Sequence, residues 1–178
     1  MKYFIYLLAI IILLGVNLGL FNNLQFGGQI PNFLLLLTVY FSLEKKDFDF
    51  FFIAFVCGVF LDFYSANFFG GYTLAFLATA LALHIFVNYI LVLEVNWKSL
   101  TGLIFCSLVL VNFLLWLYGL LAFKLNLAAD YTGFKIYLDG FLAGFIYNWL
   151  FLYPMYVCFN FLKQSIENLT VRRRGIIR

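Results

Sequence analysis

The sequence predicts an all-α membrane protein: a six-helix transmembrane bundle with both chain ends on the cytoplasmic side. Three observations lead there. First, 66% of the 178 residues are hydrophobic, 11% are charged, and the mean hydropathy is +1.03. A soluble domain is about half apolar and about a quarter charged, so the solvent for most of this chain must be lipid. Second, polar breaks divide the apolar sequence into six runs. Third, lysine and arginine are unevenly shared between alternate connections, the pattern that fixes orientation in a membrane.

The first run, Tyr3 to Phe21, follows Lys2. It is long for a signal-peptide core, and Phe21-Asn22-Asn23 offers no small-x-small cleavage pattern, so a retained helix is expected. Asn22-Asn23 and Gly27-Gly28 make a turn-prone loop before Pro31, which suits the first turn of a helix because it lacks the N–H that would be unpaired there. The second run, Ile30 to Leu43, has an unbroken apolar part from Phe33 that spans only about 16 Å. Helices 2 and 3 are therefore either short spans that thin the bilayer locally or a re-entrant hairpin. Re-entry would carry the turn Glu44-Lys45-Lys46-Asp47 into hydrocarbon, where charge is costly, so short spans are expected.

The third run is Phe48 to Tyr64, the fourth Phe69 to Leu93, the fifth Leu100 to Phe123 and the sixth Tyr137 to Leu162. Glu94 to Lys98 separates the fourth and fifth, and Lys124 to Lys135, with Asp130 and Gly133, forms the longest loop. Residues 1–162 thus form the transmembrane domain and 163–178 a basic cytoplasmic tail. With six crossings and the N-terminus inside, nine basic residues (Lys2, Lys45, Lys46, Lys98, Lys163, Arg172, Arg173, Arg174 and Arg178) face the cytoplasm. Only Lys124 and Lys135 face out.

Few residues inside the apolar runs carry chemistry. Asp62 falls at the end of helix 3, where the helix dipole disfavours a carboxylate, so it needs a partner such as a neighbouring helix start. Asp139, at the start of helix 6, suits a capping role. No chain of ionisable groups crosses the bilayer. His84, the only histidine, is expected to be a hydrogen-bonded packing residue, and Asn17, Asn112 and Asn148 to bond between helices. Cys57, Cys106 and Cys158 lack metal or disulfide spacing and should pack as small hydrophobes. No metal site or cofactor is expected.

Small residues form stripes: Gly15 and Gly19 on helix 1; Gly71, Ala75, Ala78 and Ala82 on helix 4; Gly140 and Gly144, continued by Asn148, on helix 6. Such faces let backbones approach closely, either inside the bundle, the reading favoured here, or against a partner's helix. Pro154 should kink helix 6 by depriving the Leu150 carbonyl of its usual donor. Arg172-Arg173-Arg174 either touches anionic lipid headgroups or serves only to fix topology; it does not support nucleic-acid binding. No GxxxxGK[ST], HExxH or GxSxG motif occurs and the loops are short, so an enzyme is not expected.

Three segments in order resemble the rod shape-determining MreD family. Gly28-Gln29-Ile30-Pro31-Asn32-Phe33-Leu34-Leu35-Leu36 resembles that family's entry to its second helix; Gly58-Val59-Phe60-Leu61-Asp62-Phe63 resembles its glycine-to-aspartate element; Gly70-Gly71-Tyr72-Thr73-Leu74 resembles the glycine-led helix start that follows. The resemblance covers about residues 1–162, and the chain departs from it in its 25 phenylalanines and short helix 2. It implies a non-enzymatic scaffold of the bacterial cell-wall elongation machinery in the cytoplasmic membrane. Its partners would be an MreC-like single-span protein and, beyond it, an MreB-like filament and peptidoglycan synthases. Pro31, Gly58, Asp62 and Gly71, within those segments, join Asp139, Gly140 and Gly144, singled out above by helix position and spacing, as the candidate structural or partner-contact residues. It also implies a fold similar to the S components of energy-coupling-factor transporters, which makes a vitamin-capturing S component the alternative.

Overall fold

A computed structural model describes residues 2–21, 29–43, 49–65, 69–87, 97–125 and 140–176. The expected charged turn 44–47, the far end of helix 4, the long loop before helix 6 and Asp139 lie outside the described residues. Among the described residues the secondary structure is helical, in six helices: α1 (Lys2–Val16, continued as a π-helical turn Asn17–Phe21), α2 (Phe33–Ser42), α3 (Asp49–Tyr64), α4 (Gly71–Ile85), α5 (Trp97–Lys124) and α6 (Phe141–Ile176). Segments of α1, α5 and α6 (Lys2–Gly19, Ser99–Lys124 and Phe141–Gln164) are long and apolar enough to cross a membrane.

The distribution of side chains is that of a protein dissolved in lipid. Large apolar residues such as Phe4, Leu8, Ile12, Phe113, Leu142, Leu150 and Phe161 face outward, while Asp49, Asp62, Thr79, Ser107 and Asn148 are buried. Water would drive the opposite arrangement.

The short helix α2 is the centre of the bundle. Every residue from Phe33 to Ser42 is buried, and α1, α3, α4, α5 and α6 all pack on it. Its length of about 15 Å therefore has no lipid thickness to match, because other helices surround it; a ten-residue apolar helix is more typical of a core than of a lipid-facing span. Its hydroxyls are satisfied internally: Thr38 Oγ1 donates to the Leu34 carbonyl at 2.9 Å and Ser42 Oγ to the Thr38 carbonyl at 2.7 Å. Two asparagines of α6 tie down its ends. The Asn32 N–H donates to Asn148 Oδ1 at 2.9 Å, and the Tyr40 hydroxyl donates to Asn160 Oδ1.

Successive helices alternate in direction, so the bundle has two distinct ends. At one, Asp49 in the first turn of α3 pairs with Lys2 and accepts a 2.9 Å bond from the Tyr6 hydroxyl, fastening α1 to α3. There too His84 stacks on Phe50 with ring centroids 4.3 Å apart, and its Nδ1 lies 3.3 Å from the Ser42 carbonyl. This is the packing role expected of that histidine. The other end is organised around Asp62.

Some elements differ from expectation. Pro31 precedes the helix rather than opening it, since Asn32 is the N-cap and its side chain accepts the Leu35 N–H. Helix α6 continues past Leu162 to Ile176, so the segment read as a tail begins as an extension of the last helix, running through Pro154. Of the helix 4 stripe, Gly71 and Ala75 are buried, but Ala78 is exposed and Ala82 half-buried; the buried face runs instead through Phe76, Thr79, Ala80 and Leu83. Cys57 is buried, whereas Cys106 and Cys158 lie on the outward, apolar surface.

Candidate functional site

The Asp62 end is built by a clasp between α3 and α4. Asp62 is 3% exposed, so an unmet charge there would be expensive. It is met by the first turn of α4: Oδ1 accepts the Tyr72 N–H at 2.8 Å, and Oδ2 accepts the Thr73 N–H at 3.0 Å and the Thr73 hydroxyl. The carboxylate at the unfavourable C-terminal end of α3 thus satisfies the free N–H groups and positive dipole at the start of α4. Gly70, at φ +102°, turns the chain into that helix, a conformation suited to glycine.

One turn before Asp62, Gly58 makes the approach possible. A Cβ at this position would stand 2.5 Å from Thr73 Cα and 2.9 Å from Thr73 N. Gly71 serves a second contact, with Tyr118 of α5: a Cβ there would lie 3.0 Å from the Tyr118 ring, whose hydroxyl donates to the Phe69 carbonyl at 2.9 Å. Gly58, Asp62 and Gly71 therefore belong to one junction of α3, α4 and α5.

The helix 6 stripe meets an extended segment rather than a helix. Gly140, at φ +81°, and Gly144 lie against Gln29; a Cβ on Gly140 would fall 2.7 Å from Gln29 Nε2. One turn further, Asn148 receives the Asn32 N–H and donates its own Nδ2 to the Gly144 carbonyl at 2.8 Å. The stripe is thus a trough for residues 29–32, including Pro31, as they enter α2. Gly15 and Gly19 have nothing within 4 Å of the position a Cβ would take. Arg172, Arg173 and Arg174 lie on the last turns of α6.

Between the clasp and the trough is a cavity of about 380 Å³, lined by residues from all six helices and the 29–32 segment. Its described lining contains the side chains of Asn17, Gln29, Asn32, Asn112 and Asn148, together with Tyr64, Ser65 and Tyr72, and no Asp, Glu, Lys, Arg or His. The three asparagines singled out by sequence all reach it, with different outcomes. Asn148 bonds across helices. Asn112 donates to the Leu108 carbonyl of its own helix at 2.9 Å. Asn17, 5% exposed and opening the π-helical turn, leaves its Oδ1 without a hydrogen-bond partner, as Ser65 leaves its Oγ. Among the described residues no cluster of three or more His, Cys, Asp or Glu side chains could hold a metal ion.

Sequence reasoning missed Asn32, Gln29, Tyr118 and Asp49 as organising residues. Asp49 carried one usable signal, an acidic residue opening an apolar run. Asn32 carried another, an asparagine at the N-cap position before the apolar run from Phe33; Gln29 and Tyr118 are defined by partners far along the chain. Family models, curated proteins and solved structures contain no match to this chain.

Proposed function

We propose that this chain is a six-span scaffold of MreD type in a bacterial cytoplasmic membrane, with both termini in the cytoplasm. It would hold an MreC-like single-span protein and through it the elongation machinery, without catalysis of its own. The observation that carries the reading is that Pro31, Gly58, Asp62 and Gly71, which lie in the segments resembling that family, fall in the two features that order one end of the bundle: the α3–α4 clasp and the trough of α6. A scaffold needs such a rigid end to present a defined surface, and the nine basic residues assigned to the other side orient it. Depleting the protein in its host tests the reading. Rounded cells with reduced side-wall peptidoglycan incorporation are expected; unchanged shape and incorporation would refute it.

A second reading, an S component that captures a vitamin for an energy-coupling-factor transporter, is favoured by one observation: the polar cavity at the Asp62 end. Depletion would then lower vitamin uptake and leave cell shape intact.

A further inference from the structure

We infer that the far end of α6 is a docking helix for an acidic, amphipathic segment of a soluble cytoplasmic protein. Tyr40, near the end of α2, bonds Asn160. From there α6 continues to Ile176, about 24 Å further by helical rise. The whole helix has 36 residues and is about 54 Å long, whereas a bilayer with its headgroups measures about 40–45 Å. Counted from Phe141, that thickness takes about 27–30 residues of an upright helix and is used up before Arg172. The last turns therefore stand in water beyond the headgroups.

Two patterns on this overhang define its partner. In helical register Leu162, Ile166, Leu169, Arg173 and Ile176 follow at steps of four, three, four and three, which places them on one stripe. By the same steps the stripe continues the face on which Leu152, Met155 and Phe159 are buried inside the bundle. Charge is the second pattern. Residues 163–178 hold five basic side chains and one carboxylate, Glu167. In the proposed topology the other four lysines of this side are matched in number by Glu44, Asp47, Asp49 and Glu94, so its positive excess is that of the overhang. A second copy fits poorly: copies inserted in one orientation would pair these helices in parallel and set Arg173 against Arg173. Anionic lipid fits poorly because the arginines lie past the headgroups. A helix with an apolar stripe flanked by Asp or Glu meets both patterns. The inference rests on the cytoplasmic placement of this end, and on neither the scaffold nor the S-component reading.

Fluorescence anisotropy with the full chain in phosphatidylcholine nanodiscs tests it. Both faces of a nanodisc are open, so an inverted topology would not hide the site. The probe is a labelled synthetic helix of four heptads with leucine at a and d and glutamate at e and g. The controls are the same helix with lysine at e and g, and polyglutamate of equal length. The acidic helix is expected to bind at least tenfold more tightly than either control. Combining Arg172→Gln, Arg173→Gln and Arg174→Gln should weaken it at least tenfold, and so should combining Ile166→Ser with Leu169→Ser. Should the arginine variant fail to insert, the Ile166 and Leu169 variant is read in its place. The proposal is overturned if the acidic helix does not bind, if either control binds as tightly, or if a folded variant binds as the parent does. Phosphatidylglycerol retained by the parent and lost from the arginine variant, without binding of the acidic helix, would make this a lipid contact instead.

Discussion

Gly58 and Thr73 meet backbone to backbone, with no room between α3 and α4 for even one methyl group. Gly58→Ala must therefore push the helices apart by shifting main chain. A loss of about 1–3 kcal/mol is expected from overpacking, with a larger loss for Gly58→Val. Equilibrium unfolding in detergent micelles checks this. Parent-like stability in both variants would mean that the helices are not in contact at Gly58.

Asp62 completes the same junction by electrostatics. Asp62→Ala leaves two N–H groups and a hydroxyl of α4 without their acceptor. The expected loss is about 1.5–3 kcal/mol. Asp62→Asn keeps one carbonyl oxygen and should lose less. Unfolding curves of the two variants side by side give the order, and equal stability of parent and Asp62→Ala would contradict the clasp.

The Asn32–Asn148 bond fixes the entrance of α2. Asn148→Leu fits the helix but strands the part-buried Asn32 N–H, a loss of about 1–3 kcal/mol. Hydrogen exchange at the start of α2 should accelerate in that variant, while exchange at the Lys2–Asp49 end stays as in the parent. Uniform acceleration across both ends would show that the bond has no local role.

Much of this architecture was legible from apolar runs. Helix 1, for example, was expected to end at Phe21, and the π-helical turn ends there. Hydropathy counts apolar residues without regard to what covers them, so α2 was legible as short but not as central. Its largely apolar surface suits lipid and protein neighbours equally. The need of Asp62 for a helix start followed from its position against the dipole, a local argument. By contrast, the trough of Gly140 and Gly144 was read as a helix-packing face because the spacing says only that a backbone comes close, not that the backbone is the extended segment 29–32. The cavity was not legible at all: Asn17 continues α1, Ser65 follows the end of α3 and Asn112 lies on α5, and only the tertiary fold brings them together.

Orientation is open to direct measurement. A reporter fused after Lys46 should lie in the cytoplasm and one fused after Lys124 outside, as the division of basic residues requires. A reporter after Lys46 that reads as external would reverse the proposed topology.

If this bundle is a scaffold for a single-span partner, affinity purification from native membranes should recover the two together. The full chain should bring down an MreC-like single-span protein in near-equal amount, and Asp62→Ala, by loosening the α3–α4 junction, should reduce that yield. Recovery of transporter ATPases in its place, together with a stoichiometric vitamin, would make the chain an S component instead.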